Sequence, residues 1–572
     1  MTRRAPLLIL FSIAPLLAVG CTRSWLRPDL DTSALEEATR EDSNLISRYT
    51  HPYGLNYVQV QSVALVTGLD GTGGDPPPTP QRAALLDEMK RHDVHHPNEL
   101  LAKDSTALAV VTGYLRPGAQ RGDNFDVEVR VPSRSDATSL RDGWLMPARL
   151  SEHAVLGQQV RTGHVLAEAE GAVLVDPSAD EDEALATRGR VLSGGLVRKD
   201  RPLGLIISGQ SKSVRLAKEI AAAVNERFST KVDGRRTGVA TPKTDEFVEL
   251  RIDPRYKDNI SRFTKVVRNI AIRESAGERQ ARLGRLALQL MDPLTAATAA
   301  VRLEAIGGEQ AVEALKRGAK QSDAEVRFYA AEALAYLDET AAVEPLTEAA
   351  RDEPAFRVNA LAALSAMNDY VAYEALRSLL DVRSAETRYG AFRALWSMTP
   401  DDALVAGERL GGKFSYHLLD LGSTPMIHVT QSFRPEIVVF GGDQRFQLPM
   451  VLDAGKNILV NGMTGSQITV SRFSAGQPTQ KRVVSTSVDA VIRAIVELGG
   501  TYPDVVQALQ QAKQDGALLT SLRVDALPEA GRTYASRSAD AREDAPLDPE
   551  DAGATPYRVA TPLPDLFSRK GG

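Results

Sequence analysis

The chain has 572 residues, of which 43% are hydrophobic and 25% are charged, and this ordinary globular composition predicts roughly three or four domains at such a length. The formal net charge of -6 is small and aromatic residues make up only 5%, so neither a basic surface for nucleic acid nor a row of stacking rings is expected.

A short leader precedes the chain's one cysteine. Two arginines come before an apolar run over residues 5–20, which is too short to span a bilayer comfortably and is typical of a signal peptide. Ala-Val-Gly at 18–20 leads directly to Cys21, as in a bacterial lipobox. We therefore predict a lipoprotein signal peptide over 1–21 and a lipidated Cys21 that anchors the protein, in the outer membrane because no Asp follows it. The alternative is an ordinary signal peptide with a chance cysteine.

A polar stretch and a β-rich domain follow the leader. Residues 22–54 are polar and charged, with one helical patch near 32–46, and predict a tether plus a first docking segment. Residues 55–200 predict the β-rich domain. Its clearest strand is 125–131, where apolar and charged side chains alternate with the period of two that a half-buried strand shows. An amphipathic segment near Met89 predicts a helix, and clusters of Gly, Pro and Asp separate the apolar runs.

Five short motifs occur in order within this domain. They are GLDGTG at 68–73, AVVT at 109–112, RPG at 116–118, GDNFDV at 122–127 and ATSLRDG at 137–143. With these motifs the domain resembles the flagellar basal-body P-ring protein family. The resemblance implies a structural subunit of the periplasm, copies of which assemble into a ring around the flagellar rod at the level of the cell wall.

Residues 201–275 predict an α/β domain that shares the resemblance. A strand over 202–208 precedes a helix whose apolar residues recur in steps of three and four, with Ser211 as the expected N-cap. The helical segment, SVRLAKEIAAAVNERF, is similar to one in the P-ring family. The resemblance stops near residue 272.

An internal repeat marks residues 283–412. Three columns recur at spacings of 30 and 31: Val326-Arg327, Phe356-Arg357 and Thr387-Arg388; Ala333-Leu334, Ala363-Leu364 and Ala394-Leu395; and Leu315, Leu346 and Leu376. A single pair of short helices cannot bury its apolar face, so the repeats predict a helical solenoid that resembles short HEAT-like repeats. We expect the recurring arginine to pair with acidic groups between adjacent repeats, and ligand binding is the alternative.

Strands and two helices are predicted again over 425–525. IVVFGGD at 437–443 and AGKN at 454–457 are similar to late motifs of the P-ring family. The chain thus resembles a P-ring protein over about 55–275 and 425–525, with a HEAT-like solenoid inserted. Residues 528–572 are rich in Pro, Ala, Asp and Arg and predict a disordered tail.

The sequence contains no pattern that predicts a catalytic, cofactor-binding or metal site. The glycines at 68–74 lack the Gly-Lys-Ser/Thr ending of a phosphate loop and predict a tight turn. His92, His95 and His96 cluster near a predicted helix end, but zinc would require a fourth ligand and a fixed spacing. Because Cys21 is the one cysteine and no nucleophile elbow is present, we predict that the protein is not an enzyme.

Together these features predict an α+β protein in which β-rich P-ring-like domains carry an inserted all-α solenoid. The leading hypothesis is a structural subunit of a periplasmic ring around the flagellar rod, which serves motility. Its partners would be copies of itself, the rod, outer-membrane ring proteins, peptidoglycan and, through the lipid, a membrane. The alternative is a lipid-anchored periplasmic adaptor that uses the HEAT-like repeats to bind protein partners.

Overall fold

The fold is known from a computed structural model. It describes residues 44–529, 532 and 534, except 157–158, 176–182, 233–234, 421, 423 and 475. Helices and sheets share these residues, and a helical stretch interrupts the β-rich parts, which confirms the predicted α+β fold. In the described ranges no helix is both long enough and apolar enough to cross a membrane.

The first described residues belong to the fold rather than to a tether. After Leu45 come α1 (Ile46–Tyr49) and β1 (Thr50–Tyr53), and both Leu45 and Ile46 are buried. The tether predicted over 22–54 therefore does not include residues 45–54. The buried side chain of Ile46 and the pairing of β1 with residues 204–207 bind this stretch to the α/β domain.

A closed six-stranded antiparallel barrel occupies the stretch predicted as β-rich. Its elements are β2 (Val58–Thr67), α2 (Pro80–Arg91), α3 (Pro97–Leu101), β3 (Thr106–Leu115), β4 (Asn124–Arg130), β5 (Trp144–Leu156), β6 (Gln159–Ala172), α4 (Glu183–Ala186) and β7 (Arg188–Val197). The strands are ordered β2-β3-β4-β7-β6-β5, so closure pairs both edges of the sheet. Inward-facing side chains such as Val60, Val66 and Val129 fill the interior, while α2 and α3 cover β3 from outside with Leu85 and Leu101.

The α/β domain packs two helices on a small antiparallel sheet. Its elements are β8 (Leu203–Ile207), α5 (Val214–Arg227), β9 (Ser229–Val232), β10 (Arg235–Gly238), β11 (Ala240–Pro242), β12 (Phe247–Leu250) and α6 (Ile260–Arg268). The sheet has the order β1-β8-β12-β11, and β9 and β10 form a separate hairpin. Helix α5 begins later than expected: Ser213, not Ser211, accepts the capping bond, from the main-chain N–H of Leu216 at 3.2 Å.

Paired helices form the predicted solenoid. They are α7 (Ala276–Gln289), α8 (Pro293–Ile306), α9 (Gly308–Gly318), α10 (Ala324–Tyr336), α11 (Val343–Asp352), α12 (Arg357–Ser365), α13 (Tyr370–Ser378) and α14 (Ala385–Met398). The helical stretch thus begins before residue 283, at a capping box between Ser275 and Glu278. Its apolar residues belong to the same buried cluster as those of the α/β domain, so the two parts share one continuous core.

The recurring arginines cap helix ends. Each donates to a main-chain carbonyl at or just after the end of the preceding helix: Arg327 Nη1 to Gln321 at 2.9 Å, Arg357 Nε to Ala350 at 3.1 Å and Arg388 Nε to Leu380 at 3.0 Å. Arg357 also pairs with Glu386 of the next repeat at 2.7 Å. Acidic pairing is therefore found at Arg357, and the feature that the three share is a bond to a main-chain carbonyl in the last turn of the preceding helix or up to three residues beyond it.

Two sheets and a helix pair form the C-terminal block. Its elements are β13 (Glu408–Leu410), β14 (Phe414–Leu419), β15 (Met426–Val429), β16 (Glu436–Phe440), β17 (Met450–Ala454), β18 (Ile458–Gly462), β19 (Gln467–Arg472), β20 (Gln480–Ser485), α15 (Val488–Glu497), α16 (Tyr502–Gln514) and β21 (Ser521–Val524). One sheet is mixed, with the order β13-β14-β16-β15-β21, and the other is the meander β17-β18-β19-β20. Pro528, at the start of the predicted disordered tail, is buried, and residues from 535 onward lie outside the described ranges.

A buried charge cluster joins the α/β domain to the solenoid. Arg262 on α6 lies 2.5 Å from a carboxylate oxygen of Glu304 on α8 and 2.5 Å from one of Glu332 on α10. Tyr256 donates its hydroxyl to Glu304 at 2.6 Å, and its ring stacks on Tyr336 with 4.7 Å between centroids. Burial alone would lower the pKa of Arg262, but the two carboxylates raise it above its ordinary value. Removing Arg262 would leave two buried carboxylates without a cation, and an unpaired buried charge typically costs about 3–5 kcal/mol.

A second buried cluster joins the other end of the solenoid to the C-terminal block. Glu436 on β16 lies 3.1 Å from Nη1 of Arg393 on α14, and both side chains are 1% exposed. Tyr389, also on α14, donates its hydroxyl to Glu436 at 2.7 Å. Burial alone would raise the pKa of Glu436, but Arg393 and Arg434 lower it to about 2. The carboxylate is therefore ionised at neutral pH and ties the last helix of the solenoid to the sheet.

His428 on β15 packs against this cluster without a charge. Its ring stacks on Tyr389 with 3.8 Å between centroids, and the side chain is fully buried. Among the described residues neither ring nitrogen has a hydrogen-bond partner. Burial lowers the pKa of His428 to about 3 and outweighs the opposite effect of Glu436. The ring therefore stays neutral at pH values where an exposed histidine would take up a proton.

We predict that His428→Phe removes one source of acid destabilisation. Below about pH 6.5 the unfolded histidine gains a proton that the buried ring does not, so the free energy of unfolding falls by about 1.4 kcal/mol per pH unit until about pH 3. The variant should match or exceed the parent at pH 7, since Phe keeps the stack on Tyr389 and removes two unpaired nitrogens. Between pH 6.5 and 4.5 its free energy of unfolding should fall less steeply, as urea unfolding followed by circular dichroism would measure. His95→Phe, at an exposed position, is the control, and parallel slopes for His428→Phe and the parent would contradict the prediction.

Candidate functional site

Two motif stretches meet where the barrel contacts the C-terminal block. Lys456 lies between β17 and β18, in the AGKN stretch, and Gly68 follows β2, in the GLDGTG stretch. Nζ of Lys456 donates to the carbonyl oxygen of Gly68 at 2.8 Å, across 388 residues of chain. The two motifs, which the solenoid separates in sequence, therefore build one junction. We call the group of Gly68, Asp142, Gly455, Lys456 and Asp504 the barrel junction.

The glycine-rich stretch is held against the barrel by main-chain contacts. The N–H of Gly73 donates to the carbonyl of Asp104 at 2.7 Å, and the hydroxyl of Thr72 donates to the carbonyl of Ser139 at 2.9 Å. A Cβ on Gly73 would lie 2.2 Å from the carbonyl oxygen of Thr106. Its glycines thus permit close packing on the barrel, which agrees with the interpretation of this stretch as a tight turn.

Gly455 allows two carboxylates to approach the same point. Its φ is +68°, and a Cβ there would lie 2.3 Å from Oδ1 of Asp504 and 3.6 Å from Oδ1 of Asp142. Asp504 also accepts from the main-chain N–H of Thr501 at 2.6 Å and from its hydroxyl at 2.9 Å, which closes a capping box at the start of α16. The barrel and the C-terminal block therefore each bring one carboxylate to this glycine.

A cleft of about 180 Å³ opens beside Gly455 and carries charges of both signs. Its charged lining residues are Asp142, Lys456, Arg472 and Asp504. Burial raises the pKa of Asp142, against the lowering effect of Lys456, and burial likewise raises the pKa of Asp504. Across the described residues, no group of three or more His, Cys, Asp and Glu side chains is placed to hold a metal ion. The cleft is therefore best described as part of the contact between the barrel and the C-terminal block, in which positive and negative side chains balance each other.

Asp126 makes a second contact between the barrel and the C-terminal block. It lies on β4 in the GDNFDV motif and accepts main-chain N–H groups from Ser193, at 2.7 Å, and from Phe433. Burial raises the pKa of Asp126 to about 6, against the effect of these two donors. Phe433 has a φ of +65°, which is unusual for a bulky residue. The same turn carries Arg434, which lowers the pKa of Glu436, so barrel, sheet and solenoid meet at this turn.

The residues singled out from the sequence have ordinary surroundings where they are described. His92 lies 3.3 Å from Glu88 on the same helix, and His96 lies 3.6 Å from Glu99. These are exposed local pairs of the kind that contribute little to stability. Cys21 lies outside the described residues, so its lipidation stays a prediction.

Sequence reasoning missed the junction roles of Asp126, Asp142 and Lys456, although each lies in a motif that it singled out. A charged residue in a turn is ordinarily solvated, and nothing local marks these three as different. Their partners come from another block of the fold, so the pairing becomes visible only when the blocks are placed together.

We predict that Gly455→Ala destabilises the protein more than Gly465→Ala. Both glycines have a positive φ, +68° and +92°, and an Ala side chain at such an angle costs about 1–2 kcal/mol. At Gly465 a Cβ would meet no described atom within 4 Å, whereas at Gly455 it would overlap Asp504. We therefore expect at least about 1 kcal/mol of additional loss for Gly455→Ala in urea unfolding. Equal losses for the two variants would mean that the barrel junction adapts without cost.

Comparisons with known proteins divide the chain in the same way as the fold. Residues 46–282 match the family model described as Flagellar P-ring protein, and residues 281–365 match the model described as HEAT repeats. The first match spans the barrel and the α/β domain, and the second runs from α7 to the end of α12.

Similar proteins named Flagellar P-ring protein occur in several bacteria. The chain is 28% identical over 235 residues to the protein of Geobacter metallireducens, a match that covers 39% of this chain and 60% of that protein. It is 28% identical over 222 residues to that of Photorhabdus laumondii, covering 37% and 57%, and 32% identical over 206 residues to that of Nitrosospira multiformis, covering 33% and 52%. The chain thus spans 52–60% of the length of these relatives. Its barrel and α/β domain resemble the flagellar P-ring proteins, and HEAT-like repeats follow them.

Proposed function

We propose that this chain is a structural subunit of a periplasmic ring around the flagellar rod. The observation that supports this function best is the match of residues 46–282 to the P-ring family model, which includes every strand of the barrel and of the sheet on which the α/β domain is built. The function is mechanical, because identical subunits joined head to tail close into a ring that surrounds a rotating shaft. Such a role requires no catalytic residue and no cofactor.

The edge of the meander offers a surface for the contact between subunits. β20 is the last strand of its sheet, so within the described residues one row of its main-chain groups faces no other strand. Val483 on this strand is 59% exposed, and Phe473 and Met463 in neighbouring turns are 48% and 62% exposed. An exposed edge with apolar side chains is suited to pairing with a second chain, here the neighbouring subunit of the ring.

The partners and location follow from this role. The ring would surround the rod, contact the outer-membrane ring proteins and peptidoglycan, and lie in the periplasm within the basal body. Lipidated Cys21 would hold each subunit at the outer membrane, which distinguishes it from a subunit with a plain signal peptide. The adaptor alternative rests on the repeats alone and has less support.

We predict that Val483→Asp abolishes ring formation while Val451→Asp preserves it. Val451 is also on an exposed position of the meander, 49% exposed, but on the opposite edge strand β17. A carboxylate at Val483 would have to be desolvated in an interface, whereas at Val451 it stays in water. Electron microscopy of detergent-extracted basal bodies, with the chain labelled by antibody, measures the outcome.

Experiments with the parent chain test the proposed function, and experiments with the two variants test the proposed contact between subunits. Extracted basal bodies that lack this chain, from cells that express it, would contradict the proposed function. Rings that contain Val483→Asp subunits would leave the function in place and would move the subunit contact away from β20.

We further predict that the mature protein begins at an acylated Cys21. Mass spectrometry of the N-terminal peptide should show the added mass of acyl chains on this cysteine. Cys21→Ser should prevent the modification and release the protein from membranes in a detergent-free wash, because the acyl chains supply the anchoring energy at roughly 0.8 kcal/mol per buried CH₂. A mature chain that begins elsewhere, or that carries an unmodified Cys21, would contradict the proposed anchor.

A further inference from the structure

The chain crosses back onto the solenoid after its last strand. Beyond β21, Pro528 is buried against α14, where a Cβ on Gly390 would lie 2.8 Å from Cγ of Pro528. Gly390 therefore leaves room for the proline ring and also for Leu361 of α12, whose Cδ1 would lie 2.5 Å from the same Cβ. We call residues 526–529, Arg532 and Tyr534 the strap.

Arg532 of the strap makes a two-pronged ion pair with the solenoid. Its Nη1 donates to Oε2 of Glu386 at 2.9 Å and its Nη2 donates to Oε1 at 2.7 Å. Glu386 lies in the first turn of α14 and is also bound by Arg357 of α12 at 2.7 Å. The side chain of Glu386 is 15% exposed and that of Arg532 is 25% exposed. Parallel bonds between arginine and carboxylate are both strong and geometrically selective.

Tyr534 extends a stack of aromatic rings. Its ring lies on Phe356 with 5.0 Å between centroids and 23° between planes, and Phe356 lies on Phe328 with 4.2 Å and 6°. Phe356 and Phe328 are residues of successive repeats, at or near the start of α12 and in α10. Two successive repeats therefore contact the strap: one through the ring of Phe356, the next through the carboxylate of Glu386 and the space at Gly390 on α14.

The surface that receives the strap is complete without it. If the strap leaves, Glu386 stays paired with Arg357 and Phe356 stays stacked on Phe328, so no buried charge loses its last partner. This differs from the clusters of Arg262 and Glu436, where loss of the central side chain would remove the shared partner of two buried groups of opposite charge. The strap therefore has the properties of a bound ligand, whereas those clusters are part of the core.

We propose that this surface of the solenoid, formed by Phe356, Glu386 and Gly390, is a peptide-binding site and that the strap is its ligand in cis. The site selects a proline, an arginine four residues later and a tyrosine two residues after that. A peptide of this pattern from another chain binds once the strap is displaced. The strap thereby controls access to the repeats.

The test measures binding of the strap as a free peptide. A fluorescein-labelled peptide of residues 525–538 is titrated with the chain truncated after residue 525 and with the full chain, and fluorescence anisotropy is recorded. We expect saturable binding to the truncated chain and at least tenfold weaker binding to the full chain, because a tethered segment competes at an effective concentration on the order of mM.

Two substitutions test the chemistry of the site. Arg532→Ala in the peptide, and Glu386→Gln in the truncated chain, should each weaken binding at least tenfold, since each breaks the two-pronged ion pair. Glu348→Gln, at an exposed position of α11, is the matched control and should leave binding unchanged.

A truncated chain that is folded by circular dichroism and fails to bind the peptide up to roughly 1 mM would overturn the proposal. If truncation prevents folding, the same peptide titration is carried out with the full chain carrying Arg532→Ala and Tyr534→Ala. This variant keeps Pro528 and the rest of the strap, and its weakened strap should allow the labelled peptide to bind at least tenfold more tightly than the parent does. No gain in binding would show that the strap is a fixed part of the fold.

Discussion

The arrangement of this molecule depends on buried ion pairs at the two ends of its solenoid. Arg262 from the α/β domain lies between Glu304 and Glu332 at one end, and Glu436 from the C-terminal sheet meets Arg393 at the other. Apolar surfaces can slide against one another at small cost, but a misplaced buried charge cannot be tolerated. The pairs therefore fix the position of the repeats relative to both neighbours, more than they add to net stability.

The need to pair buried polar groups also explains why the barrel and the C-terminal block contact each other in one defined arrangement. Lys456 reaches the carbonyl of Gly68, and Asp126 accepts the main-chain N–H of Phe433, so each block satisfies a polar group of the other. The turn that carries Phe433 also carries Arg434, which acts on Glu436. The barrel thus contacts the same turn that helps to bind the solenoid. These polar contacts fix the register between the two blocks, because each hydrogen bond requires its own geometry.

Local pattern was enough to predict the elements, and it was not enough to predict the contacts between them. The alternation along β4 and the 30-residue repeat of the solenoid are both visible as periodic patterns in the sequence. Each pattern arises because one face of an element is buried and its apolar residues recur with the period of that element. The partners of Arg262 lie 42 and 70 residues further along the chain, on helices that carry other charged residues such as Arg302 and Glu325, so composition could not single them out. The prediction of Ser211 as the cap was wrong for a related reason: Ser211 and Ser213 both precede the same apolar stripe, and the backbone conformation decides which one begins the helix.

The start of the tail shows how a polar composition can hide a specific contact. Averaged over its length, the segment from residue 528 has too few large apolar residues to form a core of its own. The prediction of disorder therefore does not consider contacts of this segment with a surface that is already folded. Pro528, Arg532 and Tyr534 instead use a surface that the solenoid has already built, so they need no core of their own. In the sequence this surface is marked by the glycine at 390. A Cβ there would lie 2.5 Å from Cδ1 of Leu361 and 2.8 Å from Cγ of Pro528, so the same small residue permits both the packing of α12 on α14 and the contact with the chain's own tail.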